Sequence, residues 1–354
     1  MRALPRKAAC IGGGVIGAGW IARLVLNGVD VNVFDPDPQA SRKVGEVMAN
    51  AEKAYKRLAG DGGLPAPGKI TYCNSLQDAV RDADLVQESV PERMDLKHKV
   101  LAEIDAHAPS ETVIGSSTSG LLPSEMQSVM ARPERLVVAH PYNPVYLLPL
   151  VEIVGGRQTA ASAVARAEKT YASIGMKPVI IRKEIEAFVG DRLLEAVWRE
   201  ALWLIRDGIC TVEELDDIMR YSFGLRWAQM GLFQVYRIAG GEAGMRHFMA
   251  QFGPALQWPW SKLTDVPEFN DELVDLIASQ SDAQSDKWSI RELESIRDEN
   301  LTAIMDALGA ARGGEGWGAG ALMNEYKAHL AVRAAKPEGS EDDAARPGPQ
   351  ADPA

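Results

Sequence analysis

The 354-residue chain is long enough for two domains with cores of their own, and 46% hydrophobic with 25% charged residues is an ordinary soluble, globular profile. A formal net charge of −11 argues against a nucleic-acid surface, because phosphate backbones are held by clustered Lys and Arg. Cys10, Cys73 and Cys210 form neither a disulfide framework nor a metal-ligand spacing, no apolar run reaches transmembrane length, and "MRALPRKAACIGGG" has no signal-peptide core, so a cytoplasmic protein without a metal is expected.

In chain order, "KAACIG" and "VNVFD" read as strands separated by the helical stretch "VIGAGWIARLVLNG". "DLVQESV", "TVIGSS", "RLVVAH", "LVEIVG" and "KPVIIR" are further short apolar runs, with helical patterns such as "RMDLKHKVLAEIDAHA" between several of them. Strands alternating with helices predict an α/β, Rossmann-type domain with a mostly parallel sheet over residues 1–183. From residue 184 to 309 the strand pattern stops and an all-α domain is expected. It opens with "FVGDRLLEAVWREALWLIRDG", and "TVEE" and "SIRE" read as capping boxes further on. Residues 310–354 read as a Gly-rich linker, a short helix around "ALMNEYKAHLAV" and a disordered acidic tail.

"CIGGGVIGAGW" places Gly12, Gly14 and Gly17 between the first strand and its helix. The first glycine makes a tight turn, the second lets backbone approach a pyrophosphate, and the third allows close helix packing. Val15 and Ile16 open the helix whose amides face the anion. The second strand ends in Asp35, eighteen residues after Gly17, where a carboxylate accepts from an adenosine ribose. Asp35 is followed by Pro36 and Asp37 rather than Arg, so a 2′-phosphate would meet like charges and NAD is favoured over NADP.

Ligands of open α/β sheets lie beyond the carboxyl ends of strands, and "SVPERMDLK", "SSTSG" and "HPYNP" each follow one. His140 stands at a strand's exit, and Glu152 falls inside the next apolar strand between Val151 and Ile153. A carboxylate there is costly to bury unless paired, and an imidazole would satisfy it. On residue type alone, an exposed loop histidine with an edge-strand glutamate is an equal alternative.

The motifs "IGGGVIGAGW", "SVPE", "STSG", "HPYNPV", "LVEIV" and "FVGDRLL" follow the order found in the 3-hydroxyacyl-CoA dehydrogenase superfamily, which the chain resembles over about residues 7 to 308. Within it the chain is most similar to the carnitine-oxidising branch, on "HPYNPVYLLPLVEIVGG", "FVGDRLLEAVWREALWLIRDG", "FGLRWAQMGLF" and "GGEAGMRHFMAQFGPALQWPW". The resemblance implies NAD-dependent oxidation of the 3-hydroxyl of L-carnitine to 3-dehydrocarnitine. It implies His140 as general base, Glu152 as its partner acid and Ser119 as a hydrogen-bonding partner of the substrate oxygen. Glu92 and Lys97 match polar residues beside the nicotinamide. Other members act on 3-hydroxyacyl-CoA or L-gulonate, and one is an abundant lens protein, so these substrates and a crystallin-like NAD-binding role stand as alternatives. One position departs from the acyl-CoA pattern: Asp191 stands where those enzymes carry Asn before "RLL". A carboxylate repels a developing carbonyl oxygen, which leaves the role of Asp191 open.

Residues 184–309 hold 23 Asp and Glu against 11 Lys and Arg, a poor host for the phosphates of coenzyme A and a good one for a cation. Six tryptophans lie in the same stretch (Trp198, Trp203, Trp227, Trp258, Trp260 and Trp288), and aromatic faces bind quaternary ammonium groups. Most tryptophans of a helical domain are core all the same. Tyr142, Asn143 and Tyr146 beside His140, with Asp191, Arg192, Phe223 and Trp227, are the candidate substrate contacts. The apolar faces of "LLEAVWREALWLI" and its neighbours exceed what one small helical domain needs, which predicts a homodimer through this half.

Overall fold

The computed structural model describes residues 4–228, 231–239, 244–252, 270–273, 275–276, 279, 287 and 290–335. Its first wing is β1 (Lys7–Ile11), α1 (Val15–Leu26), β2 (Asp30–Phe34), α2 (Ala40–Ala59) and β3 (Ile70–Tyr72). The second is α3 (Leu76–Val80), β4 (Leu85–Glu88), α4 (Met94–His107), β5 (Val113–Ser116), α5 (Pro123–Met126), β6 (Leu136–Pro141), β7 (Leu150–Gly155), α6 (Ala161–Ser173) and β8 (Lys177–Ile181). The strands form one sheet in the order β3-β2-β1-β4-β5-β6-β7-β8. All neighbours are parallel except β6 and β7, which run antiparallel. The α/β, mostly parallel architecture expected from the strand–helix alternation is therefore present. β3 is an addition: three residues with two exposed are too short to show a strand period.

Helices cover both faces, so central strands are apolar on both sides. Ala8, Ala9, Cys10 and Ile11 of β1 are all buried. In β6, Val137 and Ala139 enter the core on the α1–α2–α6 face, whereas Leu136 and Val138 enter the core on the α4–α5 face. Side chains alternate along a strand, so His140 shares the face of Leu136 and Val138, and Glu152 that of Val154. Buried Arg23 of α1 fixes the connection between β6 and β7. Its guanidinium donates to the carbonyls of Val145 at 2.7 Å, Ile174 at 3.0 Å and Leu148 at 3.1 Å.

After Ile181 the described residues contain helices only. α7 (Gly190–Arg206) is followed by α8 (Val212–Tyr221), α9 (Phe223–Trp227), α10 (Leu232–Ala239) and α11 (Gly244–Phe252). The capping box at "TVEE" forms: Thr211 accepts from the Glu214 amide, and Glu214 accepts from the Thr211 amide. α12 (Ile290–Ala310) and α13 (Ala319–Ala334) return to the sheet domain, where Met305, Met323, Tyr326 and Leu330 join the α1–α2–α6 core. The Tyr326 hydroxyl donates to that of Tyr55 at 3.0 Å, and Arg333 reaches Asn27 at 2.8 Å. Ser289 of "SIRE", Trp258, Trp260, Trp288 and the acidic tail beyond residue 335 lie outside the described residues. Among the described residues no helix is long and apolar enough to cross a membrane.

Candidate active site

At the carboxyl end of β1 the three glycines differ in what surrounds them. Gly12 has φ +99°, and a Cβ there would lie 2.6 Å from the Ser89 carbonyl oxygen. A Cβ on Gly17 would lie 2.0 Å from the Gly12 oxygen, so the helix is locked onto the turn. At Gly14 a Cβ would meet nothing within 4 Å, which leaves the loop open to an incoming group. Gly14 caps α1 with no side-chain hydrogen bond, so the first amides of a twelve-residue helix are available to an anion. Asp35 braces this turn: its carboxylate accepts from the Gly13 amide at 2.6 Å and the Asp37 amide at 2.7 Å. Around it lies a mostly apolar cleft of about 640 Å³, lined by Gly12, Gly14, Val15, Ile16, Phe34, Asp35, Ser89, Val90 and Pro91 among others. An open second glycine, free helix amides, an acid at the end of β2 and an apolar slot for a base fit the adenosine diphosphate half of a dinucleotide.

His140 and Glu152 are direct partners in the antiparallel register of β6 and β7. Residues so opposed carry their side chains on one face in contact distance, and here Nδ1 of His140 lies 2.9 Å from Oε2 of Glu152, both groups buried. Against an ionised carboxylate that nitrogen carries the proton, which leaves Nε2 as the proton acceptor. Oε2 also accepts from the Tyr142 hydroxyl at 3.0 Å, and Oε1 from the amides of Val189 and Gly190, each at 3.1 Å. Burial pushes the Glu152 carboxyl upward, but hydrogen bonds from His140, Tyr142 and the Gly190 amide outweigh it and hold the group below the usual carboxylate range. The imidazole is packed between the rings of Tyr142, 4.9 Å away, and Phe188, 5.6 Å away. On its far side Nε2 lies 3.6 Å from a carboxylate oxygen of Asp191.

The amide donors come from a tight entry into α7. Ala187 and Phe188 adopt φ of 56° and 46°, a left-handed conformation unusual for residues with a Cβ, and the helix starts at Gly190. At Gly190 a Cβ would fall 1.6 Å from the Tyr142 hydroxyl, so any larger residue requires that ring to move. Sequence reasoning missed Val189, Gly190 and Phe188 as parts of the site. The glycine before Asp191 was the available signal, and without the register its neighbour Tyr142 could not be known.

The serine loop after β5 rests on two acids. Glu92 accepts from the Thr118 hydroxyl and from the amides of Ser119 at 3.1 Å and Gly120 at 3.2 Å, leaving the Ser119 side chain exposed. Lys97 is 1% exposed and donates to both oxygens of buried Glu88 at 2.8 and 3.1 Å, with Glu92 at 3.5 Å. Glu88 in turn accepts from the Ser116 hydroxyl at 2.5 Å. Lys97 thus lies behind the loop, and the Ser119 backbone is fixed in front of it.

The other candidates are dispersed. Asn143, three residues after His140, is exposed, and Arg192 is exposed on α7. The Tyr146 hydroxyl is turned toward α12, where it donates to Asp298 at 2.5 Å. Phe223 and Trp227 pack on each other in α9 with centroids 4.7 Å apart, on a lobe that follows the end of α7.

Residues 7–185 match the family model of the 3-hydroxyacyl-CoA dehydrogenase NAD-binding domain, and residues 188–269 that of its C-terminal domain. An L-carnitine dehydrogenase of Mesorhizobium japonicum is 72% identical over 331 residues, covering 93% of this chain and 91% of the relative. An L-carnitine dehydrogenase/betainyl-CoA thioesterase of Rhizobium meliloti is 64% identical over 95% of this chain and 68% of its own length. Among solved structures, the NAD-dependent 5-formyl-3-hydroxy-2-methylpyridine 4-carboxylic acid 5-dehydrogenase superposes with a TM-score of 0.72 at 28% identity, covering 86% of this chain and 99% of its own. The first family segment spans the glycine turn and the histidine–glutamate pair and the second begins at the entry to α7, so this chain belongs to the 3-hydroxyacyl-CoA dehydrogenase family.

Proposed function

We propose that the chain oxidises the 3-hydroxyl of L-carnitine to 3-dehydrocarnitine with NAD as hydride acceptor and His140 as general base. The single observation that carries the chemistry is the buried Nδ1–Oε2 contact at 2.9 Å, which leaves Nε2 of His140 on the Asp191 side, unengaged by Glu152, at the carboxyl end of β6. The substrate assignment rests on the names of relatives 72% and 64% identical to the chain. NAD is to be held by the Gly12–Gly17 turn, the α1 amides and Asp35, and when bound it supplies the site that takes the hydride. Nε2 accepts the hydroxyl proton while hydride leaves the same carbon. Glu152 holds the ring with Nε2 unprotonated at the start and stabilises the imidazolium formed. Ser119 is assigned to the substrate oxygen, with Glu92 fixing its backbone. Lys97 is assigned to bracing that loop through Glu88.

The working unit is proposed to be a cytoplasmic homodimer. Leu193, Leu194 and Trp198 of α7 are 60%, 61% and 55% exposed, and edge strand β8 exposes both Val179 and Ile180. A second copy would cover such surfaces. Sedimentation equilibrium at micromolar protein is expected to give a dimer; only monomer would overturn this.

NADH absorbance at alkaline pH, with NAD and in turn L-carnitine, D-carnitine, L-gulonate and 3-hydroxybutyryl-CoA, tests the activity. L-Carnitine alone is expected to turn over, with activity lost in His140→Ala while NAD still binds. Turnover of the acyl-CoA or the gulonate instead would overturn the substrate, and full activity of His140→Ala would overturn the base.

A further inference from the structure

We infer that Asp191 selects a cationic substrate, its carboxylate receiving an ammonium group carried on the carbon next to the one oxidised. The inference rests on the L-carnitine reading above and deepens it to a residue.

The position is fixed by the base itself. The amides of Val189 and Gly190 are bonded to Glu152, so the next residue of α7 is delivered to the opposite side of the imidazole. Its Oδ2 lies 3.6 Å from Nε2, the nitrogen assigned to the hydroxyl proton. The side chain is 23% exposed, so the carboxylate can be reached from outside the protein. Among the described residues it makes no hydrogen bond, and the charged or titratable groups that act on it are His140, Glu152 and Glu195. Among the described residues it is therefore an acid without a lysine or arginine partner, beside the nitrogen assigned to the proton.

In a 2-hydroxyalkyl ammonium group the oxygen and nitrogen sit on adjacent carbons, about 3–4 Å apart by ordinary bond lengths and staggered torsions. A hydroxyl on Nε2 therefore brings the ammonium to within roughly one ion-pair distance of Asp191. An alkyl chain in the same place would leave a half-buried carboxylate facing carbon, which is unfavourable without a partner. Discrimination thus arises from both sides, attraction for the ammonium group and a penalty for an alkyl group in its place. This is also a physical reason for an acid where acyl-CoA enzymes have an amide.

The test compares L-carnitine with 3-hydroxy-5,5-dimethylhexanoate, the isostere that keeps the carboxylate but has carbon in place of the ammonium nitrogen, in wild type and Asp191→Asn. For the variant, KM for L-carnitine is expected to rise about 10- to 100-fold, between the loss of an exposed ion pair and that of a buried one, while kcat changes much less. The ratio of kcat/KM between the two substrates is expected to fall at least tenfold, and Asp191→Glu to recover part of it. NAD titration by fluorescence checks folding, and Asp191→Ser replaces the Asn variant if that one fails to bind NAD. An unchanged ratio in a variant that binds NAD overturns the assignment of Asp191 while leaving the activity standing. A wild-type enzyme that does not oxidise L-carnitine overturns the reading beneath it and this inference together.

Discussion

Glu152→Gln isolates the partner acid without changing its shape. The carboxylate faces four donors: His140 at 2.9 Å, Tyr142 at 3.0 Å, and the amides of Val189 and Gly190 at 3.1 Å. A primary amide accepts on one atom only. If its oxygen serves the two backbone amides, its NH2 faces Nδ1 of His140 and donates to it. The ring proton then moves to Nε2, the nitrogen that must accept from the substrate. A hydrogen bond to a charged group contributes about 1.5–3 kcal/mol, and at about 1.4 kcal/mol per factor of ten its loss alone is roughly 10- to 150-fold. The reversed tautomer adds to this, so kcat/KM is expected to fall by at least about 100-fold. Glu152 does not line the nucleotide cleft, and NAD affinity is expected to stay within about twofold, well under the energy of one hydrogen bond. Initial rates of NADH formation and a fluorescence titration with NAD measure the two quantities. A fall of less than about threefold in kcat/KM, with NAD binding intact, would refute the claim that this carboxylate holds the base.

Gly14→Val should leave thermal stability near that of the wild type, since a Cβ there meets nothing within 4 Å, yet weaken NAD binding more than about tenfold by filling the pyrophosphate path; calorimetry and titration read the two effects. Gly190→Ala should disable the base without touching it, because the new methyl falls 1.6 Å from the Tyr142 hydroxyl and displaces it from Glu152. Tyr142→Phe removes the same hydrogen bond more gently, and kcat is expected to drop about three- to tenfold, the equivalent of one neutral-to-charged bond partly replaced by water. Asp105→Asn should cost about 3–5 kcal/mol in urea unfolding, because Arg135, 1% exposed, would keep its charge without its counter-ion. The same acid predicts a pH dependence. Burial pushes the Asp105 carboxyl up, but Arg135 and the Arg132 and Ala131 amides hold it below its ordinary value. Its contribution is therefore complete at neutral pH and lost as pH falls through the lowered folded-state value, and the Asn variant should lack that acid-limb loss.

How much of this was legible in the sequence depended on how local each feature is. The glycine turn and Asp35 were, because three spacings and one strand length determine them. β3 was not, since "ITY" is three residues on an edge with two of them exposed. The alternation of "RLVVAH" and "LVEIV" marked His140 and Glu152 as unusual, but their pairing depends on a register that no single strand contains. Tyr146 lies four residues from Tyr142 and was equally eligible; the loop held by Arg23 sends one hydroxyl to Glu152 and the other to Asp298 of α12. Lys97 read as a polar residue for the cofactor because its burial against Glu88 depends on how α4 crosses the end of β4. Long-range packing separates these cases, and composition carries no trace of it.

One reversal of strand direction accounts for the pairing of His140 with Glu152. In a wholly parallel sheet every carboxyl end points to the ligand, and neighbouring strands offer residues side by side that loops must then orient. Running β7 antiparallel to β6 instead sets the first residues of one strand opposite the last residues of the other, so His140 and Glu152 meet inside the ladder, where backbone hydrogen bonds fix both Cα positions. The remaining carboxylate oxygen is then free to receive the entry of α7, which couples the helical half to the base through Val189 and Gly190. Substrate contacts carried on α7 therefore cannot shift without moving the amides that hold Glu152. A change at Asp191 would then alter what is recognised while the pair assigned to the proton keeps its geometry.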